Sequence, residues 1–255
     1  MLGVDAYLAS RNYAETSLKQ RRVILGQFVA AVGDPATCDA EAVMGWWAGT
    51  EHLAPASRRS ALCAARGLLD WLVEAGVRTD NPCRLIATPR VPRTPPKVLT
   101  PAEVVALRST VQRPIDHLMV ELMLTCGLRC AEVAALDADD LDREAGFLRV
   151  TGKGNKVAMI PVPTWMVEAW PPPGSGPVFG VTSWSIRSRT LRLFDVAGIA
   201  EGHGPHSLRR TCGTELAKRA PLHVVAALLR HDSVSTTTGH YTAVSPEDLR
   251  RAIGE

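Results

Sequence analysis

Four prolines fall between Ile86 and Thr100, in the run Ile-Ala-Thr-Pro-Arg-Val-Pro-Arg-Thr-Pro-Pro-Lys-Val-Leu-Thr. Proline fixes its own φ, offers no N–H to a helix or sheet, and pushes the preceding residue toward extended backbone. The run therefore reads as an extended, semi-rigid connector. It divides the 255 residues into a first part, 1–85, a linker, 86–98, and a second part, 99–255. Each part is large enough to be a domain. Hydrophobic residues make up 46% and charged residues 22%, an ordinary globular balance that excludes a largely disordered chain. A chain of this size needs no disulfide or metal staple.

The charge is distributed unevenly. Residues 1–85 hold nine basic and nine acidic side chains, and residues 101–255 hold seventeen of each. The whole excess of +3 lies in the linker, as Arg90, Arg93 and Lys97. Such a stretch is either a solvated spacer or a strap across a phosphate backbone.

The longest uncharged stretch, Ala169 to Ile186, carries four prolines and three glycines, so it is a loop and not a membrane span. The N-terminus shows neither a basic region nor an apolar one, so no secretory signal is expected. The six cysteines form no C-x-x-C pair, and they are expected to be reduced, mostly buried thiols of a cytoplasmic protein.

The first part reads as helical. Ile24, Leu25, Phe28, Val29 and Val32 share one face of a helix over about 14–32, ended by Asp34-Pro35. A second helix over about 39–48 carries Val43, Trp46 and Trp47. A third runs from Pro55 to about Ala75, with Gly76 as its stop. Arg58, Arg59 and Arg66 lie on its polar side, a face that is either solvated or entered into a DNA groove. In the second part, Thr100-Pro101-Ala102-Glu103 is a helix start with cap, N1 proline and N3 glutamate. An apolar helix follows over about 114–125. Phe147–Val150 and Val157–Val162, separated by a Gly/Asn turn, read as a β-hairpin. Helices follow over about 182–198, 206–219 and 221–230, with a last one from Pro246. The fold expected is mainly α: a helical domain, then a mixed α/β domain with one small antiparallel sheet.

The chemistry concentrates in the second part. Arg129 follows a glycine turn, with Glu132 one helical turn on. Lys153 sits in the hairpin turn, where a flexible ammonium can reach outward, and Lys156 at its end is a candidate DNA contact. His206 and Arg209 lie three apart at a helix start, where free N–H groups favour an anion. His231 ends a helix ten residues before Tyr241, the only tyrosine of the second part. Arginines can clamp non-bridging phosphate oxygens. Histidines can move protons, a lysine can protonate a departing alkoxide, and a tyrosine can attack phosphorus.

The segments Thr-Cys-Gly-Leu-Arg129-x-x-Glu132-Val, Gly-Lys153-Gly-Asn-Lys, His206-Ser-Leu-Arg209-Arg, Leu-Leu-Arg-His231 and Thr-Thr-Thr-Gly-His-Tyr241-Thr resemble those of the tyrosine recombinases, the group of phage integrases and Xer-type recombinases. The likeness is clear over about 99–245 and looser over 1–85. It implies a core-type DNA-binding domain with a SAM-like helical fold, followed by a catalytic domain. It makes Tyr241 the nucleophile of a 3′-phosphotyrosine intermediate, Arg129 and Arg209 the phosphate clamp, and Lys153 the general acid. His206 becomes a proton-handling residue, His231 a phosphate hydrogen-bond donor, and Glu132 a support behind them. No metal or other cofactor is implied. The implied partners are double-stranded DNA at core attachment sites, further copies of the chain on DNA (a tetramer in synapsis), and a directionality factor. The setting implied is the cytoplasm of a bacterial host. A phage or prophage integrase of minimal two-domain form is preferred over a chromosomal Xer protein. The short C-terminal stripe of Leu249 and Ile253 is expected to reach a neighbouring protomer.

The chain departs from the family pattern in places. His231 to Tyr241 is one residue longer than usual, and Arg230 stands where the family has glycine. A metal-dependent nuclease would have to use Asp137, Asp139, Asp140 and Asp142, which crowd one acidic turn. A helix-turn-helix regulator would have no need of Arg129, Lys153 and Tyr241 together.

Overall fold

The computed structural model describes residues 3–92, 97–230, 250, 251 and 253, with the backbone alone for Thr16 and Lys153. The chain forms two compact units, Met1–Thr94 and Pro95–Glu255.

The first unit is built of α1 (Val4–Ala9), α2 (Glu15–Val32), α3 (Ala40–Ala48), α4 (Pro55–Glu74) and a 3₁₀ turn, Pro82–Leu85. Local chemistry sets the ends of these helices. The Asp39 carboxylate caps α3 by accepting the Ala42 N–H at 2.8 Å. Pro55 opens α4, and Gly76 follows its end at φ +70°, in the left-handed region that suits glycine. The apolar stripes anticipated on α2 and α4 meet in a core of Leu25, Phe28, Leu62, Leu68, Leu69 and Leu72. Trp46 of α3 adds an edge-on contact to Phe28, with ring centroids 4.8 Å apart. Helix α1 was not expected. It is held by the burial of Tyr7 and Leu8, with Tyr7 against Trp71.

The second unit opens with α5 (Pro101–Thr110), whose capping box is complete. The Thr100 hydroxyl accepts the Glu103 N–H, and the Glu103 carboxylate accepts the Thr100 N–H at 2.7 Å. Next comes α6 (Pro114–Leu124), in which Leu118 to Leu124 are buried without a break. A helix buried on all sides is the centre of its domain. After it come α7 (Cys130–Ala134), β1 (Leu141–Asp142), β2 (Phe147–Thr151), β3 (Val157–Pro161), α8 (Thr164–Ala169), α9 (Ser183–Val196), α10 (Pro205–Ala217) and α11 (Leu222–Leu228). The sheet is antiparallel in the order β1-β2-β3, with Leu148 opposite both Leu141 and Ile160. The hairpin falls where the sequence places it, and β1 is an additional strand. A 3₁₀ turn, Lys153–Asn155, joins β2 to β3 through left-handed Gly154 and Asn155. A smaller apolar cluster joins α10 to α11 through Cys212, Leu216, Val224, Val225, Leu228 and Leu229.

The helix expected from Pro246, with Leu249, falls mostly outside the described residues. Ile253 packs against the α10–α11 cluster of its own unit. The Arg250 guanidinium lies 4.7 Å from the Phe147 ring and donates to the Ala145 carbonyl. Within the single chain Arg250 and Ile253 thus meet residues of their own unit.

All six cysteines are free. Cys38, Cys83, Cys126 and Cys212 are buried, Cys130 is half-buried and Cys63 is exposed. Burial pushes the Cys83 and Cys212 thiols up to about 12.

Candidate active site

The site begins where α6 ends. Gly127, at φ +63°, turns the chain so that Arg129 becomes the N-cap of α7 and Glu132 its third residue. A glutamate there can accept the cap's own N–H. Glu132 does so, with Oε2 2.8 Å from the Arg129 nitrogen. Its Oε1 also accepts Arg129 Nη1 at 2.6 Å. One carboxylate thus caps the helix and holds the first arginine.

Helix α10 brings the second arginine. Arg209 is buried and donates to the backbone carbonyls of Gly127 and Leu229. Its Nη1 is 3.9 Å from Glu132 Oε2. Burial, with repulsion from Arg129 and Arg230, pulls the Arg209 guanidinium down to about 10, and Glu132 partly offsets this. His206 sits on the first turn of the same helix and is exposed. Partial desolvation, then the fields of Arg210, Arg209, Arg129 and Arg187, hold its imidazole below the ordinary histidine value. Burial alone would raise the Glu132 carboxyl. The Arg230 and Arg129 bonds outweigh burial and keep it ionised, below the usual glutamate value.

The hairpin turn reaches the same cluster. A Cβ at Gly152 would lie 3.7 Å from Glu132 Oε1, which puts the backbone next to Lys153 beside the carboxylate. The Lys153 side chain, His231 and Tyr241 lie outside what the structure describes, as does Arg93. Lys156 is exposed on the far side of the turn, and its carbonyl accepts the Gly152 N–H at 2.8 Å. The structure therefore brings together Arg129, Glu132, His206, Arg209 and the backbone of the Lys153 turn.

The residues anticipated on a DNA-facing surface divide. Arg59 and Arg90 are exposed. Arg66 is spent within its own unit: Nε donates to the Cys83 carbonyl at 3.1 Å, Nη1 to Thr88 Oγ1 at 2.8 Å, and Nη2 to the Ile86 carbonyl. Arg58 lies over the Trp47 ring and bonds Thr50 Oγ1. Lys97 donates to the Glu201 carbonyl at 3.0 Å. The chain on either side of the proline run is thus tied down, Ile86 and Thr88 to the first unit and Lys97 to the second.

The acidic turn is accounted for by its own folding. Asp137 caps a 3₁₀ turn, Asp140 pairs with Arg149 at 2.8 Å, Asp142 accepts the Ala145 N–H, and Asp139 accepts the Gly174 N–H. Among the described residues no three His, Cys, Asp or Glu side chains gather as a metal site, and no helix is long and apolar enough to cross a membrane.

Sequence reasoning missed three contributors: Arg230 on Glu132, and Arg187 and Arg210 in the field of His206. Arg230 carried a signal, an arginine in a glycine place. Nothing in the sequence marks Arg187, which reaches the site only through packing of α9.

The model of the phage integrase family matches residues 97–170 and 181–248. The tyrosine recombinase XerD of Xanthomonas campestris is 33% identical, over 80% of this chain and 72% of its own length. XerD of Yersinia pestis is 32% identical, over 97% of this chain and 93% of its own. Among solved structures, lambda integrase as a dimer bound to a COC' core site aligns with a TM-score of 0.74 at 16% identity, over 95% of this chain and 99% of that one. An integrase from mycobacterium phage Brujita aligns with a TM-score of 0.53 at 24% identity, over 96% and 89%.

Proposed function

This chain belongs to the phage integrase family and is a tyrosine recombinase, a DNA strand-exchange enzyme, and from that premise we propose that it cuts and rejoins duplex DNA through Tyr241. The Tyr241 oxygen attacks the scissile phosphorus, and the bond from phosphorus to the 5′ oxygen breaks. A 3′-phosphotyrosine forms, and Lys153 supplies the proton that leaves with the 5′ hydroxyl. His206, whose imidazole is held below the ordinary histidine value by partial desolvation and the neighbouring arginines, handles the tyrosine proton. Arg129 and Arg209 take the non-bridging oxygens, with His231 as a further donor. The reverse attack, by a 5′ hydroxyl from another strand, rejoins the DNA without ATP because the bond energy is kept in the phosphotyrosine. The cationic side chains supply the charge that a two-metal enzyme takes from its ions.

The observation that carries this reading is the meeting of Arg129 and Arg209 at one buried carboxylate, with His206 on the same helix as Arg209. Its test is a nicked suicide substrate that traps the covalent adduct on a denaturing gel. Wild type forms the adduct in EDTA, and Tyr241→Phe binds the same DNA without forming it. An adduct in the Phe variant, or loss of adduct in chelator, overturns the assignment.

The finer reading is a phage or prophage integrase that joins two different attachment sites, assembles as a tetramer on DNA and takes a directionality factor. The identity to XerD favours a second reading, a Xer-type recombinase acting on paired like sites. Recombination assays on two different captured sites and on two copies of one site separate them. Product from the unlike pair supports the integrase, and product confined to the like pair supports the Xer type.

A further inference from the structure

Arg230 has φ +52°, a left-handed backbone that glycine adopts freely and other residues rarely do. A residue kept there must return something through its side chain. That side chain is 9% exposed, and it points back into the arginine cluster. Nη1 donates to the Leu228 carbonyl at 2.7 Å. Nη2 donates to Glu132 Oε2 at 2.8 Å and reaches the Gly127 carbonyl at 3.4 Å. Nε is buried and has no partner among the described residues. The Arg230 carbonyl, in turn, is 3.5 Å from Arg129 Nη2. Arg129, Glu132 and Arg230 thus form a closed ring, joined twice through the carboxylate and once through a main-chain oxygen.

Charge makes this placement costly unless an anion is expected. Arg230 adds to the repulsion that depresses Arg209. Three guanidiniums and one carboxylate leave two positive charges uncompensated. A phosphodiester carries one negative charge, and the five-coordinate transition state of its exchange carries two. Arg230 also occupies Glu132 Oε2, the oxygen nearest Arg209, so the carboxylate does not draw Arg209 into a close pair.

We propose that Arg230 is a third arginine of the phosphate site, a positioning residue that acts through Glu132 to hold Arg129 and to keep Arg209 from pairing with the carboxylate. The proposal rests on the recombinase reading. The test uses the full-length chain and the nicked suicide substrate under single turnover at saturating protein, with half-site affinity and thermal midpoint measured alongside. Arg230→Met is expected to slow cleavage by about 10- to 100-fold, with half-site affinity little changed, as befits a small misplacement of catalytic groups. Arg230→Lys restores part of the rate. Guanidinium ion added at low concentration speeds Arg230→Gly, whose backbone is relaxed. In a Glu132→Gln background, Arg230→Met adds little further loss, because both changes cut the same link. Cleavage by Arg230→Met at or above the wild-type rate overturns the proposal, and so does full additivity with Glu132→Gln. If Arg230→Met fails to fold, absence of guanidinium rescue in Arg230→Gly overturns it instead. If wild type itself gives no adduct, the recombinase reading has failed and not this inference alone.

Discussion

Glu132 grips Arg129 at both ends, its Oε2 on the backbone N–H at 2.8 Å and its Oε1 on the guanidinium at 2.6 Å. Because the first bond caps α7, the orientation of the arginine is tied to the existence of the helix. Glu132→Gln keeps the shape but turns an amide NH₂ toward groups that are themselves donors. It is expected to cost about 3–5 kcal/mol of stability, the range for removing one partner of a buried ion pair. Cleavage should fall by about 100-fold through misplaced arginines. Denaturant melts and single-turnover cleavage check the two figures.

Gly127→Ala tests the turn that places both arginines. A Cβ there would meet Leu229 Cδ2 and lie 3.3 Å from Cys212 Sγ, at a φ of +63°. The Gly127 carbonyl also accepts from Arg209. We expect a loss of about 1–3 kcal/mol from overpacking and backbone strain. Cleavage should suffer more than half-site binding, and unchanged cleavage would show that the turn gives way without moving Arg209.

Arg59 and Arg66 lie seven residues apart on α4, yet they should answer differently. Arg66→Met uncovers the Cys83 and Ile86 carbonyls and is expected to cost about 1–3 kcal/mol. Arg59→Gln should leave stability within about 0.5 kcal/mol. If Arg59 meets a phosphate, its loss flattens the slope of log K against log salt by about 1. Melting curves and salt titrations of binding separate the two roles.

His206 gives a pH prediction. Its imidazole titrates below the ordinary histidine value of 6.5, by desolvation first and the Arg210 field second. Arg210→Gln should therefore move its titration upward, toward 6.5, read by NMR on the free protein. The folded state binds this proton less well than the unfolded chain does. This group therefore costs no stability well above pH 6.5, and its destabilising effect grows as pH falls below that value. The variant should show less of that acid loss. A titration that stays in place in Arg210→Gln would mean that desolvation and the other three arginines set it without Arg210.

The long elements were legible because each repeats its apolar period over several turns and ends at proline, glycine or a cap. Helices α1, α7 and α8, of six, five and six residues, are too short to show a period. They exist because the rest of the fold buries one side of them. The two-residue strand β1 exists only by pairing with β2. Arg129, Glu132, His206 and Arg209 were readable through their spacing and the family likeness. The bond from Arg230 to Glu132 spans 98 positions and could not be read locally. Polar arginines on α4 posed a different problem. A guanidinium bonded to carbonyls of its own domain and one offered to phosphate look alike in a helical pattern.

The unequal burial of the cysteines gives the protein a built-in attachment point. Cys63 alone among the six is exposed, while the thiols at 83 and 212 are both covered and held in their unreactive protonated form. A brief exposure to a maleimide dye should therefore mark α4 first, one helical turn from Arg59, before the half-buried Cys130 reacts. If the first unit binds DNA as proposed, a fluorophore there would report the approach of a duplex in real time, on the native sequence, without a cysteine having to be added or removed.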